Sequence, residues 1–394
     1  MNRCVDPHRL ILCAVLPLLI QASSSAPAVS ALQNASQKPS GQQTADVKDT
    51  STIDDPRVGT KVIVTVPGAA LRTPEAIVWK AYLGETFTVS LVNGEWLWIA
   101  EKNGWLWEKE VVPFDSAIQE ISKKIPAEPT AENYHLRGIA YLAHRKFDEA
   151  ISDFSQSLSK KPRAAGVLNN RGQAYYMKQD YARAIADFNA ATQSDSKHFV
   201  AMNNRALCNI ATGQLDAALT DLNAALVLNK EYPEALNNRG VVHSRRGDYK
   251  AAINDFSAAL KIDPRYTDAY GNRSFAYRQQ KQYTEAVSDL KLAMENDPLN
   301  YRPVNDLAWM HATADAPDVK NAETAVKLAT QACQMSQYNE WNTLHTLAVA
   351  CAAAGDFKAA QQWITTAMEK APESEKDAIR KHMELIYGNK PVTE

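Results

Sequence analysis

The tetrapeptide Asn-Asn-Arg-Gly begins at Asn169 and again at Asn237, and a third version, Asn-Asn-Arg-Ala, begins at Asn203, so the phrase returns every 34 residues. No other feature restricts the fold as tightly. A unit that short cannot bury an apolar face alone, and a chain of such units gains a core only by stacking each on the next. Aligned on the phrase, a small residue recurs at Gly138, Gly172, Ala206, Gly240 and Ser274, and twelve residues later at Ala150, Ala184, Ala218, Ala252 and Ala286. Small side chains at two fixed points let two helices approach closely, and Phe154, Phe188, Leu222, Phe256 and Leu290 fill the gap beside them. A third set, Phe147, Tyr181, Leu215, Tyr249 and Tyr283, follows the expected turn, and Pro162, Pro264 and Pro298 mark unit ends. Each unit therefore reads as a packed helix pair.

The pattern resembles the tetratricopeptide repeat, which implies a mainly α fold: an α-solenoid of about seven helix pairs, five of them strong. The five good copies span residues 131–300, and two divergent copies follow at 301–372, the first with an insertion in its turn. Residues 373–394 hold a helix with Ile379, Met383 and Ile386 on one side, suited to capping the stack, and residues 115–130 read as a connecting second helix without a first.

Ahead of the repeats, the sequence changes texture three times. Arg3 and Arg9 precede an apolar run from Leu10 to Ile20, and Ala26-Pro27-Ala28 follows, so residues 1–28 are expected to be a signal peptide and the protein to be secreted, periplasmic or part of the cell envelope. The run is shorter than a membrane span requires. Residues 29–55 are polar, lack aromatics and read as a disordered linker. Between 56 and 114 short β-type runs take over, and Phe87, Val89 and Leu91 alternate with Thr86, Thr88 and Ser90 as in a half-buried strand. Asn93-Gly94 and Asn103-Gly104 supply hairpin turns. Five strands in a small barrel are expected. The stretch "GEWLWI" followed by "NGWLWEKEVVP" resembles the bacterial SH3-like domains, and that resemblance implies that Trp96 serves as a ligand platform. Trp96 and Trp98 share one strand face and Leu97 and Ile99 the other, an arrangement in which only one pair is expected in the core.

Two polar columns run through the repeats. Arg137, Arg171, Arg205, Arg239 and Arg273 are each followed sixteen residues later by Asp153, Asp187, Asp221, Asp255 and Asp289, which predicts an ion pair across each helix pair. Asn170, Asn204, Asn238 and Asn272 have no such matching column. In the family this position lies on the inner wall, and the column resembles the asparagine ladder with which some members hold an extended peptide, an amide being both donor and acceptor. Tyr176 on the same face then offers apolar contact, and Arg245 and Arg278 offer charge to an acidic group. The carboxylate clamp of another branch is not matched, since the positions of its lysines hold His135, Asn169, Asn203, Asn237 and Gly271.

A formal net charge of -2 gives no whole-molecule attraction to nucleic acid. Phosphate-loop, dinucleotide, zinc-protease and nucleophile-elbow motifs are absent from the sequence, so no catalytic residue, metal or cofactor is expected. His198, His243, His311 and His345 lie within the repeats without ligand spacing and read as structural. Arg246-Gly247-Asp248 reads as a turn between paired helices. With the leader removed, Cys208, Cys333 and Cys351 remain, and pairing of the last two is left open. The sequence therefore points to a non-catalytic scaffold or adaptor with a protein or peptide ligand. The alternative is an envelope protein whose barrel binds a cell-wall component and whose repeats serve assembly.

Overall fold

The computed structural model describes residues 55–393, apart from 67, 75 and 82–84. The expected signal peptide, and all of the expected linker but Asp55, lie outside these residues. The chain forms two compact units, which among the described residues are 55–228 and 229–393.

The first unit begins with eight short strands: β1 (Lys61–Val64), β2 (Ala70–Arg72), β3 (Ile77–Lys80), β4 (Thr86–Thr88), β5 (Leu91–Asn93), β6 (Trp96–Ile99), β7 (Gly104–Trp107) and β8 (Val111–Pro113). They make two antiparallel sheets, in the orders β4-β1-β8 and β3-β2-β7-β6-β5, rather than the five strands expected. Two of the expected runs are each divided, β4 from β5 at Val89-Ser90 and β7 from β8 by the helical turn Glu108–Glu110, and β2 is a further strand, so the count rises from five to eight among the described residues while the two hairpins remain as read. Gly94 (φ 63°) and Asn103 (φ 51°) make those turns in the left-handed region. Leu97 and Ile99 join Val62, Val64, Leu71, Phe87 and Leu106 in the core. Trp98 is also buried, in a second cluster with Leu91 and Trp105, so both faces of β6 are covered and the expectation of a single core pair does not hold.

Next come α1 (Ala117–Lys124) and three helix pairs: α2 (Ala131–Ala143) with α3 (Phe147–Lys160), α4 (Ala165–Met177) with α5 (Tyr181–Ser194), and α6 (Phe199–Ala211) with α7 (Leu215–Leu228). Ile63 of β1, with Val112 and Phe114, packs into the same apolar cluster as Ala117, Ile121 and Ile139, which fixes the strand region to the first helices. The second unit holds α8 (Pro233–Arg245) with α9 (Tyr249–Ile262), α10 (Thr267–Gln279) with α11 (Tyr283–Asn296), α12 (Tyr301–Thr313) with α13 (Ala322–Met335), α14 (Trp341–Ala353) with α15 (Phe357–Lys370), and the last helix α16 (Glu373–Tyr387). Within each unit the first helices of neighbouring pairs touch, as α2 with α4, α4 with α6, α8 with α10 and α12 with α14. The insertion in the sixth pair is the loop from Ala314 to Asn321. Ile379 and Ile386 of α16 are buried in the core of the final pair.

The helix pairs close on a size-matched contact. A Cβ added to Gly138, Gly172 or Gly240 would lie 2.6 to 2.7 Å from the ring of Phe154, Phe188 or Phe256, sixteen residues on in each case. Where the first residue gains a side chain the second loses its ring: Ala206 goes with Leu222, Ser274 with Leu290 and Ala348 with Ile364. All of these partners are buried. Volume is thus conserved pair by pair, as a close-packed interior demands. The turns vary more freely. Gly213, Gly247 and Gly355 take positive φ between paired helices, whereas Arg145, Gln179 and Lys281 adopt it elsewhere without a glycine. Gly172→Ala should cost about 1–3 kcal/mol through overpacking, and adding Phe188→Leu should restore most of that loss. Urea unfolding of the single and double variants checks it.

Candidate functional site

The Arg column forms the expected pairs. Arg137, Arg171, Arg205, Arg239 and Arg273 each donate from Nε to the carboxylate sixteen residues on, at 2.6, 2.7, 2.9, 2.8 and 2.7 Å, and a second bond from Nη2 makes each pair bidentate. The aspartates are buried, so these are not exposed pairs of small worth: removing one partner strands the other and costs about 3–5 kcal/mol. The remaining guanidinium nitrogen reaches back to the preceding second helix. Nη1 of Arg171, Arg205 and Arg273 donates to Ser155, Asn189 and Ser257 at 3.1, 2.6 and 2.9 Å. Arg137 does the same to Ser122 of α1, which thereby stands in for the second helix of a missing pair.

The Asn column does have a partner, and it is the residue just before it in the preceding repeat. Asn204 Nδ2 donates to Asn169 Oδ1 and Asn272 Nδ2 to Asn237 Oδ1, both at 3.0 Å. Asn169 and Asn203 in turn donate to the adjacent Asn170 and Asn204. The geometry corrects the expectation of a peptide-facing ladder: Asn170, Asn204, Asn238 and Asn272 are 7%, 1%, 1% and 1% exposed, and three of them have donors engaged between helix pairs. In the first unit the amide chain ends on His135, whose Nε2 lies 3.0 Å from Asn170 Nδ2. Burial pushes the His135 pKa down to about 4 against the opposing pull of Glu132, so the ring is neutral at pH 7 and its Nε2 accepts.

Four positions on the first helices interrupt this economy. Gln173 is 0% exposed, and neither atom of its amide has a hydrogen-bond partner. It sits three residues after Asn170 on α4, hence on the face turned towards α2 and α6. In the second unit Asn237 Nδ2 and Ser244 Oγ on α8, and Asn305 Oδ1 on α12, are likewise buried and unpartnered. Gln173 escaped the reading of the repeated phrase, but a signal exists: it is the polar exception in a column of Ile139, Leu207 and Val241 at 34-residue spacing. Of the other expected residues, Tyr176 is half-buried with its ring edge-on to Tyr181 at 5.6 Å, and Arg245 is exposed. Arg278 is buried, with its guanidinium 5.4 Å from the Phe275 ring, and so is not the open cation expected. Trp96 is half-buried and lies directly opposite Trp107, as Trp98 lies opposite Trp105, which places four indoles on one sheet face.

The remaining singled-out residues are structural. His198 caps α6 through Nδ1, His311 Nδ1 lies 2.6 Å from the Val319 carbonyl, and Asp248 caps α9. Cys208, Cys333 and Cys351 are free and buried, and burial pushes their thiols up to about 12, 11 and 11. Among the described residues no group of three or more His, Cys, Asp or Glu could hold a metal, and no helix is long and apolar enough to cross a membrane.

Models of the tetratricopeptide repeat match residues 135–199, 210–246, 233–266 and 267–298. These stretches are tetratricopeptide repeats. A comparison with curated protein sequences finds no match. Among solved structures the chain is similar to one from the APC/C hetero-tetramer Cut9-Hcn1, at 20% identity and a TM-score of 0.54, over 60% of this chain and 46% of that one. It thus spans less than half of that relative. It is also similar to pilF of Pseudomonas aeruginosa, at 17% identity and a TM-score of 0.46, over 52% of this chain and 92% of that one. A tetratricopeptide repeat protein from Parabacteroides merdae shows 16% identity and a TM-score of 0.46, over 68% and 99%. At 20% identity the likeness to the first of these is one of fold.

The neutral His135 makes a pH prediction. Because its folded pKa lies below the ordinary value, the unfolded chain takes up a proton first as pH falls, and stability drops from about pH 6.5 down to about 4, where this contribution levels off. The expected loss is on the order of 1–3 kcal/mol. His135→Gln keeps an acceptor for Asn170 but does not titrate, so urea unfolding of that variant should lack this component.

Proposed function

We propose that the protein is an exported, non-catalytic scaffold whose repeat helices bind extended segments of partner proteins. The observation that carries this reading is Gln173, a first-helix amide with an idle donor and an idle acceptor: unlike Asn170, Asn204 and Asn272, whose donors are engaged between helix pairs, it has no protein partner, and because it is 0% exposed a ligand reaches it only when the side chains covering it move aside. An unsatisfied buried polar group costs roughly 1–3 kcal/mol, and a peptide bond is the ligand group that would satisfy both of its atoms together. The idle atoms of Asn237, Ser244 and Asn305 support the same use of the second unit. Tyr176, one turn after Gln173, supplies apolar contact, and exposed Arg245, next to Ser244, supplies charge for an acidic side chain. Membership of the repeats in a family of generally non-catalytic, protein-binding modules supports the reading.

Export rests on the basic, apolar and small-residue order of the first 28 residues. The strand region, which we read as SH3-like, acts as a second binding module. A second reading gives it the leading role, with the barrel holding a cell-wall peptide or glycan while the repeats serve assembly. What favours that reading is the half-buried pair Trp96 and Trp107, facing each other across β6 and β7, because indole faces offer apolar area with a polar edge.

Gln173→Leu separates ligand binding from stability. Peptides selected against the full chain from a display library should bind this variant about tenfold more weakly, while urea unfolding should find it at least as stable as the wild type. Undiminished binding by the folded variant rejects the assignment of Gln173. Selection that yields no peptide, alongside retention of cell-wall fragments that is lost in Trp96→Ala, favours the second reading.

A further inference from the structure

Histidine stands at the start of α6, where the other capped first helices use side chains that do not titrate. His198 Nδ1 accepts from the backbone N–H of Ala201 at 3.2 Å, the capping bond of this helix. A backbone nitrogen can only donate, so Nδ1 carries the lone pair and the ring proton sits on Nε2. Thr130 caps α2 by accepting from Asn133 at 3.1 Å, and Asn300 caps α12 by accepting from Arg302 at 3.1 Å. Among the described residues no side-chain bond caps α4, α8, α10 or α14. The capped end of α6 bears on the stack because Asn204, in its second turn, donates to Asn169 of α4.

A proton on Nδ1 ends this bond. It sets an N–H against the N–H of Ala201 and places a positive charge at a helix N-terminus, where the peptide dipoles already point their positive ends. The carbonyl of His198 also accepts from Ala201 N–H, at 3.0 Å, so the cap is weakened rather than abolished. His198 is half-buried, and that burial holds its pKa below the ordinary imidazole value, while Asp195 and a backbone hydrogen bond of His198 itself pull the other way. The charged side chains near it are few. Asp195 accepts from the backbone N–H of Lys197 at 2.9 Å, and Lys197, like Lys161 and Arg163 in the turn before α4, is exposed. The elements packed against this end of α6 add no charge: residues 165–170 of α4, 188–194 of α5 and 222–228 of α7 contain no Asp, Glu, Lys, Arg or His.

We propose that His198 is a proton-operated latch on the first turn of α6: neutral, it caps the helix, and protonated, it lets the turn open and loosens the end from which Asn204 holds α4. The sign follows from linkage. The opened turn takes up a proton at the ordinary imidazole pKa of about 6.5 and the capped turn resists it, so the latch is fully closed above that pH and opens as pH falls below it, towards the lowered pKa of the capped ring. Loss of a side-chain acceptor at this position shifts the opening equilibrium by about fivefold.

Residue-resolved amide hydrogen exchange of the full chain, corrected for the intrinsic effect of pH on exchange, reads the latch at Ala201. Protection there should fall by about fivefold between pH 7 and pH 5, while that of Arg302, capped by Asn300, changes little. In His198→Asn, which keeps an acceptor but does not titrate, protection of Ala201 should be nearly the same at both values. His135 is present in both proteins, so the comparison isolates His198. A wild type equally protected at both values, or an equal fall in His198→Asn, overturns the proposal. Where Ala201 exchanges too fast to follow, or the variant does not fold, the ring nitrogen resonances of the wild type decide. A bare Nδ1 at pH 7 together with an Ala201 amide shift that follows the ring's titration supports the latch; a proton on Nδ1 at pH 7, or an amide shift indifferent to that titration, refutes it. Peptide binding through Gln173 is a separate measurement, and its failure leaves this result intact.

Discussion

Each of the five strong repeats buries an aspartate on its second helix, and a carboxylate out of water has to be neutralised and hydrogen-bonded or it unfolds the element carrying it. The arginine sixteen residues earlier does both with a bidentate contact. Its third nitrogen, where it reaches the preceding second helix, makes the neutralisation of one pair contingent on the position of the last. The apolar contact between Gly or Ala and Phe or Leu sets how near two helices come, but it is non-directional. The guanidinium fork fixes register, because a slip of one residue would leave both charges unpaired. Specificity of stacking thus resides in a polar seam, while most of the stabilisation resides in the apolar one.

The helical part of the fold was legible because its signals are periodic and mutually consistent. Gly172 predicts a close approach, Phe188 says what fills it, and the sixteen-residue offset says which helices meet. The strand region was less legible because strands of three or four residues give periodicity little to act on, and because burial on both faces of β6 removes the alternation that marks a half-buried strand. Trp98 could not be distinguished from Trp96 by pattern; only pairing with Trp105 separates the deep indole from the shallow one.

The Asn column misled for a different reason. A repeated polar residue with no complementary residue at a constant offset ahead of it reads as exposed, yet its partner lies one repeat behind, at an offset of 35 residues rather than 34. Satisfying an amide with another amide leaves no charge pattern for sequence reading to detect. The signal on which the proposed binding role rests is the reverse case, a lone departure within an apolar column. Gln173 is costly where Ile139 and Leu207 are not, and a cost retained in an otherwise economical interior is what a binding site supplies and a purely structural position does not.

The fifth residue of each first helix shows how the amide chain is closed. It is Asn in α4, α6, α8 and α12, Gly in α10, and His in α2 and α14, the first and last pairs. An amide serves in the middle because it accepts from the repeat ahead, as Asn169 does from Asn204 and Asn237 from Asn272, and can still donate to the asparagine beside it, as Asn169 does to Asn170. At α2 no earlier repeat follows the pattern, and a neutral imidazole ends the chain by accepting from Asn170. At α14 the next element is α16, which belongs to no repeat and presents His382 instead of an amide. Asparagine at either end would serve the hydrogen bond equally well at every pH. Imidazole differs from it chiefly in that it titrates, so His135 in place of Asn makes the amide chain of the first unit sensitive to acid at the end where His135 accepts from Asn170.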